Sequence, residues 1–109
     1  MKFGGYDVGG QVVKQDDRYI VKDNTALERL VVSSTTLKPG KETNGHKHDD
    51  QEEVYHFVHG KGRMQLDDQT FDVYPGDIVL VKGGVFHKVF NTDQTDMYFV
   101  CVFEGKRSH

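Results

Sequence analysis

An all-β fold, a sandwich or barrel of short strands, is what this 109-residue sequence predicts. Three observations carry the expectation. The apolar set holds 15 Val and 7 Phe but only 5 Leu and one Ala, Ala26, and β-branched and aromatic side chains suit a pleated, half-buried surface. Runs of such residues are short and are broken at close intervals by Gly, Pro, Asn and Asp. A helical period is missing everywhere except over a few residues around Asn24–Glu28.

The opening segment, to about residue 11, carries Gly4, Gly5, Gly9 and Gly10 around Tyr6 and Val8. It reads as an irregular arm or an edge strand that needs a neighbour for order. Strands are expected at Arg18–Lys22, Leu27–Leu37, Val54–Val58, Arg63–Leu66, Thr70–Val73, Ile78–Val81, Val85–Phe90 and Met97–Glu104. Pro39-Gly40, Asn44-Gly45, Gly60-Lys61-Gly62, Asp67-Asp68, Pro75-Gly76, Gly83-Gly84 and Asn91-Thr92-Asp93 supply the turns between them. No internal repeat or low-complexity tract interrupts the pattern, and a single domain over residues 1–109 is expected.

Composition narrows the function classes. With 14 Lys plus Arg against 17 Asp plus Glu, the net charge is −3, which is not the footprint of a nucleic-acid binder. One cysteine, Cys101, cannot close an internal disulfide, so a cytoplasmic, reducing compartment fits; inside an apolar run it reads as a buried, inert thiol. The longest apolar run, Met97–Phe103, has seven residues, against about 20 for a membrane-spanning helix. The first ten residues, MKFGGYDVGG, have no apolar stretch of the kind a secretory signal requires. No nucleic-acid or membrane partner is expected.

Six histidines are the abnormal count, and His46, His48, His56 and His59 fall within fourteen positions. On an extended segment His46 and His48 leave one face, with Lys47 on the other. On spacing alone this pair reads equally as two ligands or as part of a solvated loop. Glu53 opens the apolar run that follows. His87 shares a strand face with Val85 and Val89, where a lone histidine is more often a satisfied core residue. His56 has the parity of Val54 and Val58, opposite to Glu53, and reads with His59 and His109 as a bystander. Three imidazoles and a carboxylate brought together from separate strands would suit a divalent Mn, Fe, Zn, Ni or Co ion.

The chain as a whole resembles the cupin superfamily. Gly40-KETNG-His46-K-His48-DDQE-Glu53-VYHFVH-Gly60, residues 40–60, is similar to the first cupin motif at every fixed position. Residues 76–91, Gly76-DIVLV-Lys82-G-Gly84-VF-His87-KVF-Asn91, resemble the second, except that Lys82 stands where the motif has proline. The resemblance implies a small single-domain double-stranded β-helix, or jelly-roll β-barrel, with His46, His48, Glu53 and His87 holding one metal. Glu52 is the rival carboxylate. Glu53 is preferred because it leaves six residues before Gly60 and shares parity with Tyr55 and Phe57, which would line a ligand pocket.

Four protein ligands leave two octahedral positions open, as binding or catalysis requires. The resemblance implies a small-molecule ligand of carbonyl or sugar type. An isomerase or epimerase would draw on Glu52 or a metal-bound water as base, Tyr55 as donor, and Arg63 or Lys88 for a phosphate, although Lys88 lies on the strand face opposite His87. An iron-dependent dioxygenase and a non-catalytic binding or sensing cupin are the other readings. A homodimer is expected, from the glycine-rich arm and the Met97–Phe103 run. Because ligating imidazoles must be neutral, bound metal should be lost as the pH falls through about 6. Metal content measured after equilibration across pH 4–8 checks this, and full occupancy at pH 4 would rule out histidine ligands.

Overall fold

The computed structural model describes Lys2, residues 7–47 and residues 49–105, and the strands it contains all pair antiparallel. They are β1 (Gln11–Gln15), β2 (Tyr19–Asn24), β3 (Leu30–Leu37), β4 (Glu53–His59), β5 (Gly62–Leu66), β6 (Gln69–Val73), β7 (Ile78–Val81), β8 (His87–Asn91) and β9 (Met97–Glu104). Six form one sheet in the order β1-β2-β3-β9-β4-β7, and three form a second in the order β6-β5-β8. Residues 41–46 extend the second sheet along β8, through isolated bridges Glu42–Phe90 and His46–His87.

The two-residue period of the strands fills the space between the sheets. On β9, Met97, Phe99, Cys101 and Phe103 are buried while Tyr98, Val100 and Val102 are half-buried on the other face. On β4, Glu53, Tyr55 and Phe57 point inward and Val54, His56 and Val58 outward. Leu37, Phe57, Met64 and Met97 are fully buried at the centre of the core. The Met97–Phe103 run is thus the middle strand of the large sheet rather than open surface. Exposed apolar side chains sit instead on β4 and β7, where Val54 pairs with Leu80, with Ile78 nearby.

Several expected boundaries move for local reasons. β1 begins where the irregular arm was expected to end, and pairs with β2 through a bulge between Val12 and Lys14. β3 starts at Leu30, not Leu27, because the Asn24 side chain accepts from Ala26 N–H (3.0 Å) and turns the chain; that Asx turn stands where the weak helical signal lay. β8 starts at His87, not Val85, because Val85 N–H closes a turn on the Lys82 carbonyl (3.2 Å). Gly84 supplies the positive φ of that turn, +82°. Lys82, where the motif has proline, is the exposed first residue of the turn, which closes without a ring.

Asn91, the last residue of the second motif, is a structural clasp. Its amide donates to the carbonyls of Leu37 (2.9 Å) and Thr95 (3.0 Å), and its carbonyl accepts from Asp93 N–H (2.8 Å). It is 3% exposed, so water cannot replace those bonds. Asn91→Ala should therefore cost about 2–3 kcal/mol and lower the melting temperature by roughly 10–20 °C. Thermal unfolding of the variant measures it.

Candidate metal-binding and ligand-binding site

Backbone pairing brings the two motifs together. His46 N–H donates to the His87 carbonyl (3.1 Å) and His87 N–H to the His46 carbonyl (2.9 Å), so the residues face each other as a doubly bonded antiparallel pair. Such a pair puts both side chains on one face of the sheet, and the ring centroids lie 6.1 Å apart. The flanking residues lock this register. A Cβ at Gly45 would overlap the ring of Phe86. Phe86 is also tied to the β5–β6 turn, donating to Asp67 Oδ1 (3.0 Å) and accepting from Asp67 N–H (2.8 Å).

The large sheet contributes the carboxylate. Glu53, cross-strand from Phe103 and Val81, points inward and is 2% exposed. Its Oε2 lies 2.7 Å from Nε2 of His87, itself 3% exposed. The other ring nitrogen, Nδ1, donates to the carbonyl of Val85 (3.1 Å), since a carbonyl can only accept. Burial works against a charged His87 imidazole, but the hydrogen bond and charge of Glu53, with the Val85 carbonyl, outweigh it and raise the pKa. The Cys101 thiol donates to Glu53 Oε1 (3.4 Å).

These residues line one cavity of about 40 Å³ between the sheets, together with Lys14, Ser33, Thr35, Thr43 and Tyr55. The Tyr55 ring meets His87 edge-on at 5.8 Å. His46, Glu53, His87 and Tyr55 are therefore brought to a common wall, while His48 lies outside the described residues. Glu52, just before β4, is exposed, and His56 and His59 are exposed too.

Two expected lining residues do not join the cavity. Phe57 has the right parity but sits one step deeper, fully buried and packed on Tyr55 (6.4 Å) and Phe99 (5.4 Å). Arg63 lies on the outer face of β5, 60% exposed, paired with Asp72 at 3.1 Å. Lys88 likewise points outward, 2.7 Å from Glu42. Sequence reading missed Ser33, Thr35, Cys101 and Lys14. The first three were findable, because they share inward parity with Val31, Leu37 and Phe103; Lys14 depends on a bulge that leaves no compositional trace.

The donor set suits a divalent ion. Two imidazoles and a carboxylate converge on one cavity, and the Val85 carbonyl fixes the His87 tautomer so that Nε2 faces Glu53, as a ligating histidine requires. Among the described residues, no group of three His, Cys, Asp or Glu side chains is closed around a metal-sized point.

A two-sheet antiparallel barrel with both motif segments on one cavity defines a cupin, and the family model for the cupin domain matches residues 33–103; the chain belongs to that family. It is 28% identical over 102 residues to an uncharacterized protein of Methanocaldococcus jannaschii, covering 84% of this chain and 82% of that one. It is 30% identical over 66 residues to an oxalate-binding protein of Thermotoga maritima, which spans 61% of this chain and 54% of that protein. Among solved structures it is similar to a predicted oxalate decarboxylase of Thermotoga maritima (TM-score 0.73, 22% identity, 79% of each chain). It is also similar to KdgF of Halomonas sp. (TM-score 0.79, 15% identity, 89% of each chain). At these identities the structural likeness is one of fold.

Removing one member of a buried pair strands the other. Glu53→Ala should therefore destabilise the metal-free protein by about 3–5 kcal/mol, while Glu52→Ala should stay within about 0.5 kcal/mol of the parent. Parallel denaturant titrations compare them.

Proposed function

We propose that this cupin holds one divalent transition metal, Mn, Fe, Zn, Ni or Co, through His46, His48, Glu53 and His87, and uses it to bind a small oxygen-donor ligand. The observation that carries the reading is the approach of His87 Nε2 to the Glu53 carboxylate in a shared cavity, with His46 held opposite by backbone pairing. A bound ion of this kind would act as a Lewis acid toward a carbonyl or carboxylate oxygen. Nε2 of His87 would be its ligating nitrogen, with Nδ1–H held on the Val85 carbonyl. Tyr55, on the cavity wall, is placed to orient the ligand, and the core behind it excludes water.

The inner part of the cavity, about 40 Å³, fits a ligand group of a few heavy atoms. The likeness to an oxalate-binding protein and to a predicted oxalate decarboxylase supports a small acid or carbonyl compound. Binding rather than isomerisation is favoured because Arg63 and Lys88 face away from the cavity and Glu52 is exposed and absent from its lining, which leaves Tyr55 as the one of those helpers on the wall. Isomerase and dioxygenase activities remain the catalytic alternatives, tested by proton exchange into a sugar phosphate and by oxygen uptake of iron-loaded protein.

The decisive measurement is metal content. Parent protein should retain close to one divalent ion per chain after dialysis. His46→Ala and Glu53→Gln should each weaken metal affinity by at least about 100-fold, since even residues that only orient ligands are worth about 10–100-fold. Equal metal content in parent and both variants would overturn the site.

A further inference from the structure

Lys14 is an unexpected member of the cavity wall. It belongs to β1, a short edge strand that is otherwise exposed. Regular alternation would give Val12 and Lys14 one face and Val13 the other. The bulge instead pairs Val12 with Lys22 and Lys14 with Val21, leaving Val13 as the extra residue. Val12 faces out with Lys22, whereas Lys14 faces in with Val21. Bulges beside sites commonly re-aim one side chain in this way. The inward row continues from Lys14 and Val21 through Thr35 to Phe99, so Lys14 and Thr35 belong to the same stretch of wall.

The rest of the lining shows what a cation adds there. Among the described lining residues, Lys14 is the only one that carries a positive charge regardless of histidine protonation. Asp23, 7% exposed, lies on the same inward face of β2, so a purely structural lysine would serve to balance it. Either role needs the bulge, since only an inward Lys14 reaches Asp23 or the wall that His46, Glu53 and His87 share, and the Asp23 variant below separates the two.

We infer that Lys14 is a specificity-determining residue that selects a ligand carrying a carboxylate, its ammonium binding the negative charge at one end of the cavity while the histidine–glutamate end takes the other donor. The inference rests on the proposed metal-and-ligand reading of the cavity and adds the charge class of the ligand.

Oxalate is the probe, titrated calorimetrically into full-length parent, Lys14→Met and Lys14→Arg after loading with Mn(II), with metal content measured on each sample. Lys14→Met should keep its metal and bind oxalate about 10- to 100-fold more weakly, the range for losing a hydrogen bond to a charged group. Lys14→Arg should recover most of that affinity. Equal oxalate affinity in Lys14→Met and parent, at equal metal content, overturns the inference, as does a metal-loaded parent that fails to bind oxalate. A parent that takes up no metal defeats the metal reading instead. The same comparison on metal-free protein then decides Lys14, with loss in Lys14→Met supporting it and no binding or no difference overturning it. Asp23→Asn provides the structural control: if it restores oxalate affinity and stability to Lys14→Met, the lysine serves Asp23 and not the ligand.

Discussion

The backbone pairing of residues 41–46 with β8 is the contact on which the rest of the site depends. It joins two segments some forty residues apart in sequence, and its two hydrogen bonds put His46 and His87 opposite one another. A slip of one residue would turn either imidazole to the far side of the sheet. Register is protected by further bonds along the same pair of segments: Thr43 N–H to the Val89 carbonyl, Val89 N–H to the Thr43 hydroxyl oxygen, and Asn91 N–H to the Lys41 carbonyl. The large sheet then has one task, to present Glu53 from across the core.

That geometry sets up a contest between a proton and a metal. A carboxylate buried against an imidazole nitrogen, both almost without solvent, is costly unless something positive lies between them. Beside Glu53 the His87 imidazole has its pKa raised despite burial, which expresses that demand. A divalent ion would take the same place with more charge.

Much of this was legible in the sequence, because strand alternation is a strict rule. The choice of Glu53 over Glu52 as the inward carboxylate, the outward position of Lys47, His56 and Lys88, and the strand limits Ile78–Val81 and Met97–Glu104 all follow from parity and turn residues. Parity gives a face but not a depth, which is why Phe57 was expected at the pocket wall and lies behind it. Arg63 failed for another reason. Its parity, opposite to Met64 and Leu66, already turned it outward, and β5 shows it to solvent beside Asp72. The bulge at Val13 was invisible, since nothing in QVVKQ marks where the extra residue falls.

The packing of Gly45 beneath Phe86 has a consequence for how this sequence can change. Each position directly precedes one of the facing histidines, and the ring occupies the volume a side chain at 45 would need. Neither residue can be altered freely alone: a larger group at 45 requires a smaller one at 86, or the two strands part and the imidazoles with them. Positions 45 and 86 should therefore drift as a linked pair among descendants of this chain, a covariation between residues that never touch a ligand.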